Sequence, residues 1–293
     1  MSNPMSIKVD TNQTFPLRSQ NEARHKPDQV NFIRTGTGEP VILIHGLAAS
    51  LKDWETLLPE LAESGFDACA LDLLGHGESY KPQLVADYNV HNVYAHLQGW
   101  IDTLYPDEPT FLVGHSLGGY LALVHALRNP HKVKGLILVN PYYSIRQMSA
   151  FLQMVFKRQL LNTALIEKTP YWLFRIVIDI SSFEQWYIKT PRHRMPEEVR
   201  RQTALDYKRA APGIYNIPRT MTELGEPIRT LEVPTLVIGG TQDRTLDPRS
   251  FSELVSLLPN ASYIPLANSA HVPHQSDGEI FNPLVLKFLN EHK

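Results

Sequence analysis

Short apolar runs recur along the chain from residue 30 onward, and several are unbroken rather than alternating. They occupy residues 30–33, 41–44, 68–73, 111–113, 136–139, 236–238 and 263–264. Unbroken runs of this length predict strands buried on both faces of a parallel sheet. Between them the apolar positions take a helical period. Residues 53–63 place Trp54, Leu57, Leu58 and Leu61 on one face, and residues 91–104 do the same with Val93, Leu97 and Ile101. Residues 117–127 and 251–258 follow the same pattern. Strand–helix alternation of this kind predicts an α/β fold with a doubly wound, mostly parallel sheet. Sites in such sheets lie beyond the carboxyl ends of the strands, so the loops there carry the chemistry.

The alternation stops at Tyr142 and resumes at Val233. Residues 142–227 read as mostly helical, with frequent prolines and many aromatics, and are expected to form a helical cap (lid) inserted between two strands. Residues 30–141 and 228–293 would then make one core. Residues 1–29 carry little pattern beyond a strand at 6–10.

Composition narrows the class. The chain has 293 residues, a net charge of −2 and one cysteine, Cys69. A chain of this size buries about three quarters of its unfolded surface, so its core needs no staple. One cysteine rules out an internal disulfide framework and any cysteine-based metal site, and no metal or cofactor is expected. The balanced charge argues against general nucleic-acid binding, which needs a basic surface. The first 30 residues lack the apolar stretch of about 7–15 residues that a signal peptide needs. No stretch of about 20 apolar residues is present to span a membrane. A soluble, cytoplasmic protein is the expectation.

The run at 111–113 leads into Gly114-His115-Ser116-Leu117-Gly118-Gly119 and then an amphipathic helix. The spacing G-x-S-x-G alone arises by chance in about one chain in ten of this size. The strand before it and the helix after it supply the strand–turn–helix setting of a nucleophile elbow, in which a tight turn lifts the serine hydroxyl above the sheet. Serine attacks only if a base takes its proton. Other strand-end loops hold candidate partners. Asp243 follows the strand and glycine turn at 236–240, and Asp247 reads better as a helix N-cap before Pro248. His271 lies in the loop after the last short strand, His274 falls in the next turn, and His292 sits near the terminus. His45-Gly46-Leu47 follows the strand at 41–44, where His45 reads as a residue that shapes its loop.

Together these segments, with Asp72-Leu73-Leu74-Gly75-His76-Gly77-Glu78-Ser79, resemble the α/β-hydrolase fold superfamily. The likeness is to its lid-bearing serine carboxylesterase, lipase-like and carbon–carbon hydrolase branch. It covers the chain from about residue 30 to the end, apart from the insertion. It implies the order serine, acid, histidine, which selects Ser116, Asp243 and His271 as the catalytic set. It also implies an oxyanion hole from the backbone N–H groups of Leu47 and Leu117. The Asp72 and Ser79 segment is a structural turn in such proteins and is given no chemistry. Ala270 stands where a glycine is usual before the histidine, and Leu47 where many members have glycine or an aromatic residue. Serine at the elbow argues against the haloalkane dehalogenases and epoxide hydrolases of this fold, which use aspartate there.

The expected activity is hydrolysis of small-molecule carboxylic esters through an acyl-enzyme. Carbon–carbon hydrolysis, perhydrolysis and slow-turnover small-molecule reception remain alternatives with the same residues. Phe151, Val155, Trp172 and Trp186 in the insertion are candidate contacts for an apolar or aromatic substrate. Residues 142–227 hold thirteen Lys/Arg against eight Asp/Glu, so a basic lid of +5 covers a core of −7. That polarity also allows weak docking of the cap on an anionic membrane surface.

Overall fold

The computed structural model describes residues 10–15, 30–157, 163–182 and 195–293, with residues 10–15 described through their backbone. The elements run β1 Asp10–Phe15, β2 Val30–Thr35, β3 Glu39–Ile44, α1 Leu57–Glu63, β4 Phe66–Leu71, α2 Val90–Leu104, β5 Thr110–His115, α3 Leu117–Arg128 and β6 Val133–Val139. Five helices come next: α4 Ala150–Lys157, α5 Thr163–Lys168, α6 Tyr171–Ser182, α7 Glu197–Arg209 and α8 Ile217–Thr220. The chain then returns to the sheet with β7 Thr235–Gly240, α9 Arg249–Leu257, β8 Ala261–Leu266, α10 Pro273–Ser276 and α11 Gly278–Glu291. All seven apolar runs form strands. Of the strand expected at 6–10, residues 6–9 lie outside the described residues, and β1 begins at Asp10.

The described strands make one sheet in the order β1-β2-β4-β3-β5-β6-β7-β8, antiparallel at β1/β2 and β2/β4 and parallel from there on. Alternate residues of each strand feed two apolar layers. Ile42, Ile44, Leu112, Leu136 and Leu138 pack with α2 and α3, whereas Val41, Leu43, Val113, Ile137 and Ile238 pack with α1 and α11. Both faces are covered, which is why the runs read as unbroken.

The helix expected over residues 53–63 is divided into a 3-10 turn, Leu51–Trp54, and α1. Pro59 accounts for the break. It has no N–H to give the carbonyl of Glu55, and its ring crowds that carbonyl, so it is tolerated only in the first turn of a helix.

The parallel register sets the site. Gly114 pairs with Ile44, His115 with Val139, Val139 with Ile238, and Gly240 with Leu266. The residues that follow β3, β5, β6, β7 and β8 therefore emerge along one edge, and the insertion between β6 and β7 leaves from the same edge. No described helix is long and apolar enough to cross a membrane.

Candidate active site

Ser116 joins β5 to α3 with φ at +50° and ψ at −110°. A non-glycine residue held there costs about 1–3 kcal/mol of backbone strain. Three backbone hydrogen bonds hold it: the Ser116 N–H donates to Val139 O at 3.0 Å, and its carbonyl accepts from Tyr120 at 3.1 Å and Tyr142 at 3.2 Å. The turn also needs Gly118, because a Cβ there would lie 2.0 Å from the carbonyl oxygen of Ile44. Leu117 opens α3, where the first backbone N–H groups have no intrahelical acceptor.

Asp243 is buried beyond β7, and four donors converge on its carboxylate. Oδ1 accepts from the backbone of Thr245 at 2.7 Å and Leu246 at 3.1 Å, and Oδ2 accepts from Asn140 Nδ2 and His271 Nδ1, each at 2.7 Å. Burial pushes its pKa up, but the His271 imidazole and the surrounding donors outweigh this and leave it below the usual carboxylate range. With the proton of His271 on Nδ1, Nε2 presents a lone pair.

The loop carrying His271 is tied to the sheet at several points. Asn140 Nδ2 donates to Ala270 O at 3.2 Å, the Gln242 N–H donates to Ser269 O at 2.9 Å, and His115 Nε2 donates to His271 O at 2.8 Å. Gly240 makes room for the loop, since a Cβ there would lie 2.1 Å from Ala270 O.

His45 shapes its own loop. Nδ1 donates to Gly46 O at 2.7 Å and Nε2 accepts the Leu73 N–H at 2.9 Å, while burial pushes its pKa down to about 4. Asp72 likewise organises a turn, accepting from Leu51, Glu78 and Asn31, while Ser79 Oγ donates to its carbonyl.

Ser116, His271, Leu47 and Leu117 border one cavity of about 640 Å³, with Asp243 behind His271. The insertion supplies much of the remaining wall, including Leu152, Phe156, Ile178, Tyr207 and Tyr215. Arg244 adds charge to an otherwise largely apolar lining, and Asp53 and Asp206 add carboxyl groups that burial pushes up to about 8 and about 7. Of the four expected substrate contacts, Phe151 is 66% and Trp172 61% exposed, Val155 is half-buried, and none of these three lines the cavity. Trp186 lies outside the described residues. The face of α4 that borders the cavity is instead that of Leu152 and Phe156, about 100° around the helix from Phe151 and Val155. Asn140 was not singled out from sequence. Its signal is a polar residue directly after the apolar run at 136–139, a position at the carboxyl edge of the sheet.

A family profile described as the alpha/beta hydrolase fold matches residues 39–276. The chain is 26% identical over 226 residues to the 2-hydroxy-6-oxo-2,4-heptadienoate hydrolase of Pseudomonas putida, covering 74% of this chain and 77% of that enzyme. It is 26% identical over 245 residues to Lipase 3 of a Moraxella species, covering 81% and 73%. In structure it resembles a thermophilic esterase from Thermogutta terrifontis, with a TM-score of 0.79 and 22% identity over 96% of this chain and 100% of the esterase.

Proposed function

We propose that this chain, which belongs to the α/β hydrolase fold family, is a serine hydrolase that cleaves carboxylic esters with apolar or aromatic groups. One observation carries the reading: Ser116 and His271 border the same cavity, and a buried Asp243 holds His271 Nδ1 at 2.7 Å. In this mechanism His271 Nε2 takes the Ser116 proton as Oγ attacks the carbonyl, and Asp243 fixes the tautomer and balances the imidazolium. The backbone N–H groups of Leu47 and Leu117 stabilise the oxyanion. His271 returns the proton to the leaving alcohol. It then activates the water that releases the acid and restores Ser116.

The lipase relative and the apolar cavity wall support an ester with a hydrophobic acyl or alcohol part. Arg244 on the cavity, together with the similarity to a heptadienoate hydrolase, supports a second reading: carbon–carbon hydrolysis of a substrate bearing a carboxylate. A panel of p-nitrophenyl esters of increasing chain length, run beside a vinylogous-diketone substrate, tests both. Fast steady-state ester turnover that peaks at a definite chain length supports the esterase. Rapid cleavage of the diketone with slow ester turnover replaces it with the second reading, and inactivity on both series overturns hydrolysis.

A further inference from the structure

Three buried polar atoms that ester cleavage does not use converge without hydrogen-bond partners: Asp53 Oδ2, His115 Nδ1 and His274 Nε2. Their residues are 5%, 3% and 1% exposed. Asp53 Oδ2 lies 3.9 Å from His115 Nδ1 and 3.6 Å from His274 Nε2, and the three donor atoms all fall within 4.8 Å of one another. These separations are too long for direct hydrogen bonds.

The hydrogen bonds around the cluster fix what the atoms can be. The carbonyl of His271 only accepts, so the proton of a neutral His115 is on Nε2, and Nδ1 is left as a bare lone pair. Burial pushes the Asp53 carboxyl up to about 8, and its ionised form is also an acceptor. Two acceptors facing each other in the interior repel unless something electropositive lies between them, and a proton on Asp53 does not bridge 3.9 Å.

We propose that Asp53, His115 and His274 form a binding site for one zinc ion. Two imidazoles and a carboxylate are a donor set that suits zinc, with a fourth position left for water. Ligand atoms of one tetrahedral zinc lie about 3.4 Å apart, so Asp53 Oδ2 closes toward each imidazole by a few tenths of an ångström, and the two imidazole nitrogens, at most 4.8 Å apart, close by up to about 1.4 Å. The surroundings match for two of the three ligands, while His274 Nδ1 has no hydrogen-bond partner among the described residues. A metal-bound imidazole usually donates its other N–H to a carbonyl or carboxylate, and a metal-bound carboxylate is itself hydrogen-bonded. His115 donates to His271 O, and Gln275 Nε2 donates to Asp53 Oδ1.

The three ligands come from separate parts of the sequence. Asp53 is in the turn after β3, His115 ends β5 directly before Ser116, and His274 lies in α10 three residues after His271. The ion would clip together the segments that carry Leu47, Ser116 and His271. It takes no part in ester cleavage, and the proposal does not rest on the hydrolytic reading.

The test strips the full chain with a chelator and titrates it with zinc chloride alone. One zinc per chain is expected by calorimetry and elemental analysis, with a rise in Tm on binding. Asp53→Asn and His274→Gln should weaken binding by about 100-fold or more, beyond the loss that outer partners alone cause. Ser116→Ala should bind as the wild type does, so a failed hydrolytic reading leaves this test intact. X-ray absorption on the wild-type zinc complex needs no variant and should report two imidazoles and a carboxylate. No stoichiometric binding, undiminished binding in both variants, or a shell without imidazole would each overturn the site.

Discussion

Asn140 Nδ2 donates to Asp243 Oδ2 at 2.7 Å, the oxygen that also accepts from His271 Nδ1 at 2.7 Å. The same amide donates to Ala270 O, and its Oδ1 accepts the Gly240 N–H at 3.2 Å. One buried side chain thus fixes the carboxylate, the loop of the histidine and the end of β7 together. Its own φ of +40° suits asparagine, which tolerates the left-handed region better than most residues.

Asn140→Gly keeps that backbone freedom and deletes the amide. A hydrogen bond to a charged group contributes about 1.5–3 kcal/mol, so kcat for an ester should fall about 10- to 100-fold. Substrate contacts are untouched, so KM should stay within about twofold. Steady-state kinetics on a folded variant checks this, and an unchanged kcat would remove Asn140 from a positioning role.

Ser116→Ala should lower ester turnover by about 10⁴-fold or more, with the residue supplied by binding and the oxyanion donors. Asp243→Asn should cost about as much, because His271 then loses the acceptor that fixes its tautomer. A Ser116→Ala enzyme that retains a tenth of wild-type activity would assign the nucleophile elsewhere.

What could be read from sequence divides along physical lines. The apolar runs announced the strands because burial on both faces leaves an unbroken pattern. The motif around Ser116 was legible because a tight turn restricts which residues fit, and Asp243 and His271 because they stand at strand ends. Asn140 and the Asp53–His115–His274 cluster were not, since their partners lie far away in sequence and only the register of the sheet from β3 through β5, β6 and β7 to β8 brings them together. The α4 face was misread for a different reason. Phe151, Leu152, Met154, Val155 and Phe156 are apolar around most of the helix, so periodicity does not say which side meets the cavity.

Asp206 borders the cavity at 3% exposure, and burial, aided by nearby Asp53, pushes its carboxyl up to about 7. A carboxyl raised on folding imposes no penalty below the unfolded value of about 3.9, a growing one as pH rises from there to the folded value, and a constant one above it. Asp206→Asn should therefore raise Tm by several degrees at pH 8, at about 2–4 °C per kcal/mol, and the gain should shrink toward zero near pH 4. Asp243 acts in the opposite sense: its lowered pKa contributes stability above the unfolded value that is lost as pH falls through the folded one. Melting curves of metal-free wild type and variant across this range decide the point. A gain at pH 4 equal to that at pH 8 would show that Asp206 is not the group responsible.

The two faces of α4 make opposite predictions for substrate length. Leu152 and Phe156 border the cavity, whereas Phe151 is 66% exposed on the outer side of the same helix. Burying an aromatic side chain against a ligand contributes about 1.5–3 kcal/mol, so Phe156→Ala should raise KM for long-chain esters about 10- to 100-fold. An acetate ester does not extend far from Ser116 and should show little change. Phe151→Ala should leave both substrates within about twofold of wild type, because it removes no wall of the cavity. Comparing KM along a chain-length series for the two variants separates the faces directly. If Phe151→Ala selectively impairs the long esters while Phe156→Ala does not, α4 turns its other face to the substrate in the working enzyme.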